Sequence, residues 1–477
     1  MNDNGRNFPA KDVLLLLPPL NEHLYGEGWR FSESPTVPLG LMYLATPLIK
    51  AGYHVNFIDL TVDRLEKDQY FNLLKNPDFI LISCYTQSLK NTVKIIHDIR
   101  NVNHRAYIIC GGHYCTDTGK HVEGSDMTVF GEADLYIVKI LDLVGSKRSL
   151  SNIPGLSYKK NGRLVRNPGF QLVEDLDLVD PPSFDLVRNK QYGYLYGIRV
   201  DAMMPIITSR GCPFHCSFCT FQGVSYRERK VKPVIEEIKM RVQEGARLII
   251  FYDDNFLLRR TRVIELLDRI IEQKYDLKLV IAGRVDLADL EIYRKLKEAG
   301  VIIVLFGIES ANQDVLNFYK KRTTVGKIKT AVINANKAGI LTYGNLIIGS
   351  PIEGLKHFEI NRKILKKLPL DFLNVHILDY IYPSPLWHDA HKRGLIKENE
   401  YKITANEKLC GFSREELIKM QEKLIRTFYN NPKRILRLMY KLSRNLGLGY
   451  IITLIKLFYT RSIYRSAERF HDSAIAK

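Results

Sequence analysis

Apolar residues along this chain come in short runs that stop abruptly at glycine, proline or charge. Val13-Leu14-Leu15-Leu16-Leu17 is uniformly apolar and stops at Pro18-Pro19. This is the pattern of a strand buried on both faces. Pro38-Leu39-Gly40-Leu41-Met42-Tyr43-Leu44-Ala45 opens a helix that ends at Gly52. Strands follow at 54–59, 79–84, 106–113 and 127–132, with helical spacing over 92–102. Strands alternating with helices predict an α/β domain over about 12–145, built on a doubly wound parallel sheet. Ligands of such sheets bind beyond the carboxyl ends of the strands. Pro18, Pro19, Ser83, Gly111, Gly112, Gly131 and Glu132 fall at those ends. No G-x-G-x-x-G follows the first strand, which argues against a dinucleotide.

The pattern then changes. Residues 146–200 read as a linker. It holds a hairpin around Lys160-Asn161-Gly162-Arg163 and an acidic extended crossing over 175–185 with Pro181-Pro182. Tyr192, Tyr194 and Tyr196 either line a cleft or pack on the surface. Over 201–395 six apolar runs recur, at 204–208, 248–252, 277–283, 302–306, 342–348 and 372–382. Each ends in polar or turn residues: Ser209-Arg210-Gly211, Asp253-Asp254-Asn255, Arg284, Gly307-Ile308-Glu309-Ser310, Gly349-Ser350-Pro351 and Pro383-Ser384-Pro385. Six β/α units predict a partial (β/α)6 barrel, whose chemistry sits at the carboxyl ends of the strands. Asp254 and Asn255 would also serve as helix N-caps. Arg284 either meets an anionic ligand or pairs with Asp286.

Composition refines this picture. A hydrophobic content of 45% and a charged content of 26% are ordinary for a folded protein of 477 residues. The formal net charge of +18 is compatible with nucleic acid, a membrane surface or an anionic substrate. Half of it sits in the helical, basic region over 396–477. Twelve Lys/Arg against three Glu between Arg414 and Arg465 give +9. Ile435, Leu438, Met439 and Leu442 recur at helical spacing, and 446–459 is apolar but too short to span a bilayer. This region is either a basic amphipathic surface for an anionic membrane or a helical cap over the active site. Residues 1–11 are polar and carry no secretory h-region. Seven cysteines, three of them in one motif, do not make a secreted disulfide framework. Cys84, Cys110, Cys115 and Cys410 read as small buried hydrophobes. A reducing cytoplasm is expected, with contact at the membrane periphery left open.

The densest chemistry is Cys212-Pro213-Phe214-His215-Cys216-Ser217-Phe218-Cys219, a C-x3-C-x2-C pattern. Three thiolates on one loop can hold three irons of a 4Fe–4S cluster and leave the fourth iron open. A zinc knuckle is the competing use. Zinc sites pair C-x2-C with a second pair or with histidine, however, and the neighbours of His215 do not supply that.

This motif, with Phe218 before the last cysteine, resembles the radical S-adenosylmethionine (SAM) enzymes. The resemblance implies that SAM chelates the open iron and is cleaved by one electron to a 5′-deoxyadenosyl radical. It implies that Cys212, Cys216 and Cys219 hold the cluster. Asp253-Asp254-Asn255 would then meet the SAM methionyl amine. Glu309 and Ser310 would reach its ribose or methionyl groups, and the turn at Gly349 its adenine side. Phe218 counts with these SAM contacts. The family often continues Gly-x-Pro with Gly-Glu-Thr. Here Glu353 is kept, but Gly354 stands for the threonine, so no hydroxyl contact is available there.

The first domain resembles the cobalamin-binding domain of one large radical SAM subfamily, through Pro18-Pro19, Pro38-Leu39-Gly40-Leu41, Gly111-Gly112-His113 and Gly131-Glu132. No D-x-H-x-x-G is present. Cobalamin would therefore bind base-off, without a histidine from that motif. His113 is either a ligand or a rim residue. The resemblance covers about 12–395. It implies methylation of an unactivated carbon or phosphorus in a small-molecule substrate. A hydrophobic substrate and a reducing partner such as flavodoxin or ferredoxin would accompany it, with no nucleic acid. Cyclase or oxidoreductase chemistry on a lipid- or porphyrin-like substrate is a second expectation. A non-catalytic basic iron–sulfur protein is a third.

Overall fold

Each apolar run of the first domain becomes a parallel strand, because both of its faces have helices to bury against. The computed structural model describes residues 11–20, 36–190, 192, 194–195, 198–199, 202–220 and 224–446. The chain divides into two units, Met1–Tyr194 and Leu195–Lys477.

In the first unit the strands are β1 (Asp12–Leu17), β2 (His54–Asp59), β3 (Phe79–Ser83), β4 (Tyr107–Gly111) and β5 (Met127–Val129), all parallel. The hairpin β6 (Leu156–Lys160) and β7 (Arg163–Arg166) extends the same sheet antiparallel, giving the order β2-β1-β3-β4-β5-β6-β7. This hairpin was expected to be connection. It pairs instead with β5, because Leu156 and Tyr158 are apolar residues that the edge of the sheet buries. Helices α1 (Leu39–Lys50), α2 (Lys67–Leu74), α3 (Leu89–Val102), α4 (His113–Thr118) and α5 (Ile137–Gly145) link the strands. Val13, Leu15, Phe79, Leu81 and Ile109 pack with Met42, Leu48, Ile140 and Leu141 on one face. The alternate residues Leu14, Leu16, Ile80 and Ile82 are equally buried on the other. Burying both faces of each strand is the main stabilising term, at about 1.5–3 kcal/mol per aliphatic side chain.

The second unit holds six parallel strands in sequential order: β8 (Met203–Ile206), β9 (Leu248–Phe251), β10 (Lys278–Gly283), β11 (Val301–Glu309), β12 (Leu341–Ile348) and β13 (Phe372–Ile377). The first and last strands do not pair, so the barrel is open. The run at 372–382 was expected as one strand. It breaks at Leu378, and Asp379–Ile381 pairs antiparallel with Lys402–Thr404. The intervening helices are α6 (Val231–Gln243), α7 (Arg260–Gln273), α8 (Leu290–Glu298), α9 (Gln313–Phe318), α10 (Val325–Lys337) and α11 (Leu355–Lys367). After β13 come α12 (Pro385–Lys392), α13 (Glu407–Cys410), α14 (Arg414–Tyr429) and α15 (Pro432–Leu446).

Strand alternation divides the residues of this sheet between two cores. Ile249, Phe251, Phe306, Ile308, Leu346, Ile348, Val375 and Ile377 point out to the helices. Leu248, Val280, Ile303, Leu341 and Phe372 point in, at the amino ends of their strands. There they meet Leu438 and Leu442 of α15. The basic C-terminal helix is thus a floor under the barrel, not a cap over the carboxyl ends. Three of its five cations turn inward. Arg434 donates to the carbonyls of Phe428, Leu365 and Leu368. Lys441 Nζ reaches Asp371 Oδ2 at 2.9 Å, and Arg437 Nε reaches Oδ1 at 3.2 Å. The apolar run at 446–459, Tyr196, and the side chain of Tyr194 lie outside the described residues. Among the described residues no helix is long and apolar enough to cross a membrane.

Asp371 is fully buried and also accepts from Thr342 N and Oγ1. Asp371→Ala leaves two inward-facing cations without their carboxylate. The expected loss is about 3–5 kcal/mol, read as a drop in the denaturant midpoint. Surface exchange of Lys433, on the same helix, should leave the midpoint within about 0.5 kcal/mol.

Candidate active site

The cysteine loop leaves β8 through a segment held on three sides. Thr208 N and Oγ1 and Ser209 Oγ all donate to the buried Asp253 carboxylate, at 2.7, 2.5 and 2.7 Å. Arg262 from α7 donates to Thr208 O and Oγ1. Ser209–Arg210 pairs antiparallel with Arg227–Glu228. Gly211 then turns with φ +85°, and a Cβ there would lie 2.3 Å from Ser225 O. Its N–H donates to Asp254 Oδ2 at 2.9 Å, one residue before Cys212.

Cys212, Cys216 and Cys219 form no disulfide. Cys219 N donates to Cys216 O, closing a tight turn. The far end of the loop is fixed by Ser217 N to Tyr319 O and by the edge-on contact of Phe218 with the Tyr319 ring. Burial pushes the Cys212 thiol up, and the Asp254 carboxylate adds to this. Among the described residues no three His, Cys, Asp or Glu side chains are gathered tightly enough for one metal ion. A donor set of three thiols and no fourth cysteine on the loop fits a 4Fe–4S cluster with one iron open.

The strand ends sort the remaining expected residues by face. Asp253 and Asn255 are 3% and 1% exposed and turn toward the helices, like Phe251 before them. Asp253 holds the cysteine segment, and Asn255 Oδ1 accepts from Arg284 N. Of the three, only Asp254 is exposed on the inner side. Ser310 is fully buried in a network with Asn312 and Asn361. Its hydroxyl is thus used in packing. Glu309 differs. It has φ +60°, and its carboxylate lies over the inner face of Gly307, where a Cβ would come within 2.3 Å of Oε1. Gly349 has φ +92°, and its N–H, with that of Ser350, donates to Glu353 Oε2 at 2.8 and 2.9 Å. The retained Glu353 therefore shapes this turn. Gly354 caps α11, its N–H bonded to His357 Nδ1. Arg284 pairs bidentately with Asp286, donates to Lys321 O and stacks 3.8 Å over Phe214 of the cysteine loop. The Asp286 alternative is the one realised.

Four inner-face residues were not anticipated. Lys321 pairs with Glu309 at 2.6 Å. Asn345 stands beside Asn374 in register, and Asn374 Nδ2 lies 2.7 Å from His376 Nε2. Burial lowers the His376 pKa, so the ring is neutral. For Asn345, Asn374 and His376 the signal was in the sequence: polar residues at alternate positions inside the apolar strands 341–348 and 372–377.

In the first unit, Pro19 O accepts from Asn91 Nδ2, which pins the Pro18-Pro19 turn to α3. Gly112 has φ +97°, and a Cβ would meet Cys84 O at 2.9 Å and Ser83 Oγ at 3.2 Å. Gly111 has no such crowding. Gly131 and Glu132 are occupied. A Cβ on Gly131 would strike Gln171 O, and the Glu132 carboxylate accepts from Val173 N. They fasten the chain that follows the hairpin onto the sheet. Tyr192 does not line a cleft, since its hydroxyl donates to the buried Asp59. At the carboxyl ends of β3 and β4 the Tyr85 and His113 rings lie 5.5 Å apart. Burial lowers the His113 pKa. Nearby on α4, Asp117 is raised to about 7 by burial and has no partner among the described residues. A partly buried carboxyl left without a donor fits a large ligand rich in amides, as cobalamin is.

Comparisons with known proteins agree with this geometry. Residues 206–361 match the Radical SAM superfamily, and residues 32–141 match the B12 binding domain. A protein of Pyrococcus horikoshii named as an uncharacterized methyltransferase is 30% identical over 442 residues, covering 89% of this chain and 94% of its own. The hopanoid C-3 methylase of Methylococcus capsulatus is 26% identical over 385 residues, 77% of this chain and 70% of its own. The radical SAM methyltransferase TsrM of Kitasatospora setae superposes with a TM-score of 0.70 at 18% identity, over 90% of this chain and 91% of its own. The cobalamin-dependent enzyme OxsB gives 0.67 at 17%, over 95% and 75%. The chain belongs to the radical SAM enzymes that carry a B12-binding domain. Its cofactors are a 4Fe–4S cluster, SAM and cobalamin.

Two tests follow from this geometry. Asp253→Ala orphans three donors at the root of the cysteine loop and should lower iron per chain at least threefold. Asp254→Ala should keep the iron and weaken SAM binding, measured by calorimetry. The second test concerns Glu353, which burial raises to about 7 from 4.5. Its ionisation costs stability, so the contribution is full below pH 4.5 and is lost as pH rises through about 7. Glu353→Gln should therefore gain about 1–3 kcal/mol on wild type between pH 5 and pH 8, followed by thermal unfolding at each pH.

Proposed function

We propose that this enzyme is a cobalamin-dependent radical SAM methyltransferase acting on an unactivated carbon or phosphorus of a small molecule. The observation that carries the reading is the presence in one chain of a three-thiol loop and a separate B12-binding sheet whose carboxyl edge keeps Asp117 unpartnered. When bound, the cluster with SAM supplies a carbon radical, and cobalamin supplies the methyl group.

The chain's own residues position and shield. Asp253 and Arg262 hold the cysteine segment in place, and Phe214 and Phe218 cover it. Asp254 offers a carboxylate to the methionyl amine, a charge-assisted contact, and Glu309 offers one to the ribose. Asn345, Asn374 and neutral His376 line the inner face of β12 and β13. There they can hold a substrate by hydrogen bonds without demanding a charge on it. The electron for SAM cleavage comes from a small reducing protein of the flavodoxin or ferredoxin type. The described part of the C-terminal region turns Arg434, Arg437 and Lys441 inward, so it gives a membrane-surface role no added support.

The test is anaerobic reconstitution with iron, sulfide and hydroxocobalamin. The expected product has about one corrinoid and one 4Fe–4S cluster per chain, seen in the visible spectrum. With a strong reductant and SAM it should release S-adenosylhomocysteine only when corrinoid is bound. Replacing Cys212, Cys216 or Cys219 by Ala should abolish the cluster and 5′-deoxyadenosine formation while keeping the corrinoid. A cluster with no retained corrinoid would overturn methyl transfer in favour of the cyclase or oxidoreductase reading.

A further inference from the structure

Lys321 is a lysine where the barrel has little use for one. It follows α9, is 7% exposed, and directs Nζ to Glu309 Oε1 at 2.6 Å. Both side chains of the pair are 8% exposed. A pair this deep is stabilising only when its remaining polar atoms are also satisfied. Oε2 of Glu309 has no partner among the described residues and is not one of the enclosed polar atoms, so it is open to a ligand. Its surroundings are built for it. Gly307 supplies the space, since a Cβ there would lie 2.7 Å from Nζ and 2.3 Å from Oε1. Glu309 adopts φ +60°, a left-handed conformation that a non-glycine residue rarely takes. The backbone carbonyl of Lys321 is held by Arg284, which also stacks on Phe214, and Nζ lies 6.0 Å from the Phe218 ring centre. The pair is therefore tied at both ends to the cysteine loop.

We infer that Lys321 is a positioning residue for SAM: it holds Glu309 over Gly307 and aims the free Oε2 at a hydroxyl pair of the ribose. This rests on the proposed placing of SAM at Glu309. The other groups facing Glu309 do not substitute for Lys321. Burial lowers His376, which is thus neutral, and burial raises Tyr319, which keeps its proton.

The experiment uses reconstituted holoenzyme and SAM. Dissociation constants come from calorimetry, and the reduced cluster's electron paramagnetic resonance is recorded with and without SAM. Wild type should bind SAM with a change in the cluster signal. Lys321→Met should raise the dissociation constant at least tenfold with iron content unchanged. The cluster signal of Lys321→Met without SAM should match wild type, and its SAM-dependent change should shrink in step with affinity, which a general packing defect would not give. Glu309→Gln should lose a similar factor, and the double variant Glu309→Gln with Lys321→Met should lose no more than either alone. The double variant also removes the buried charge imbalance, so it folds if Lys321→Met does not. Affinity within twofold of wild type in the double variant, or in a folded Lys321→Met, overturns the role of Lys321. Failure of wild type to bind SAM would overturn the proposed function instead.

Discussion

The grip of Asp253 and Arg262 on Thr208 and Ser209 is the contact on which the rest of the second unit depends. A loop with three cysteines, two prolines or glycines and few apolar side chains cannot fold itself. It must be hung from something rigid. Asp253 is buried at the end of β9, Arg262 on α7, and the strand they hold is the neighbour of β9 in the sheet. A buried carboxylate accepting three donors beside a guanidinium is costly to break, because each group would be left unpaired in a low-dielectric setting. The root of the loop is thus fixed by the chain's own side chains. Asp254, the next residue, can then bond Gly211 N without having to order the loop.

The same logic makes the floor of the barrel intelligible. An open six-stranded barrel exposes the inner sides of its strands at both ends. The carboxyl end must stay open to admit ligands. The amino end need not, and α15 closes it with Leu438 and Leu442. A basic helix is unusual in such a place. It is tolerated because Asp371 and a set of strand- and helix-terminal carbonyls accept from Arg434, Arg437 and Lys441. Part of the chain's net positive charge is therefore structural, and reading all of it as a partner surface would be misleading.

The strands of both sheets were legible in the sequence, because a doubly buried strand has almost no freedom in composition. Val13 to Leu17 and Phe79 to Ile82 announce themselves. The cysteine motif was equally legible, since its spacing is local. What the sequence could not show was how residues distant in the chain share atoms. Glu132 reads as a ligand at a strand end until Val173 N is found on its carboxylate. Tyr192 reads as a cleft residue until its hydroxyl is found on Asp59. Lys321 was missed for the same reason: one lysine in a run of Lys320, Lys321 and Arg322 looks like a solvated face, and only the fold brings it to Glu309.

Strand parity explains which of the expected polar residues remain open to a ligand. A polar cluster at a strand end presents residues alternately to the helices and to the barrel interior. Phe251 and Asp253 share the helix side, while Tyr252 and Asp254 face inward, and burial follows that division. Asn374 and His376 lie inward, between Leu373, Val375 and Ile377. Glu309 keeps the inward parity of Gly307 across the irregular register between them, and adopts a left-handed φ of +60°. The carboxylate is held inside at a conformational cost, with a buried lysine beside it. Chains do not carry such strain without a compensating contact, and the Lys321 ammonium on the Glu309 carboxylate supplies one.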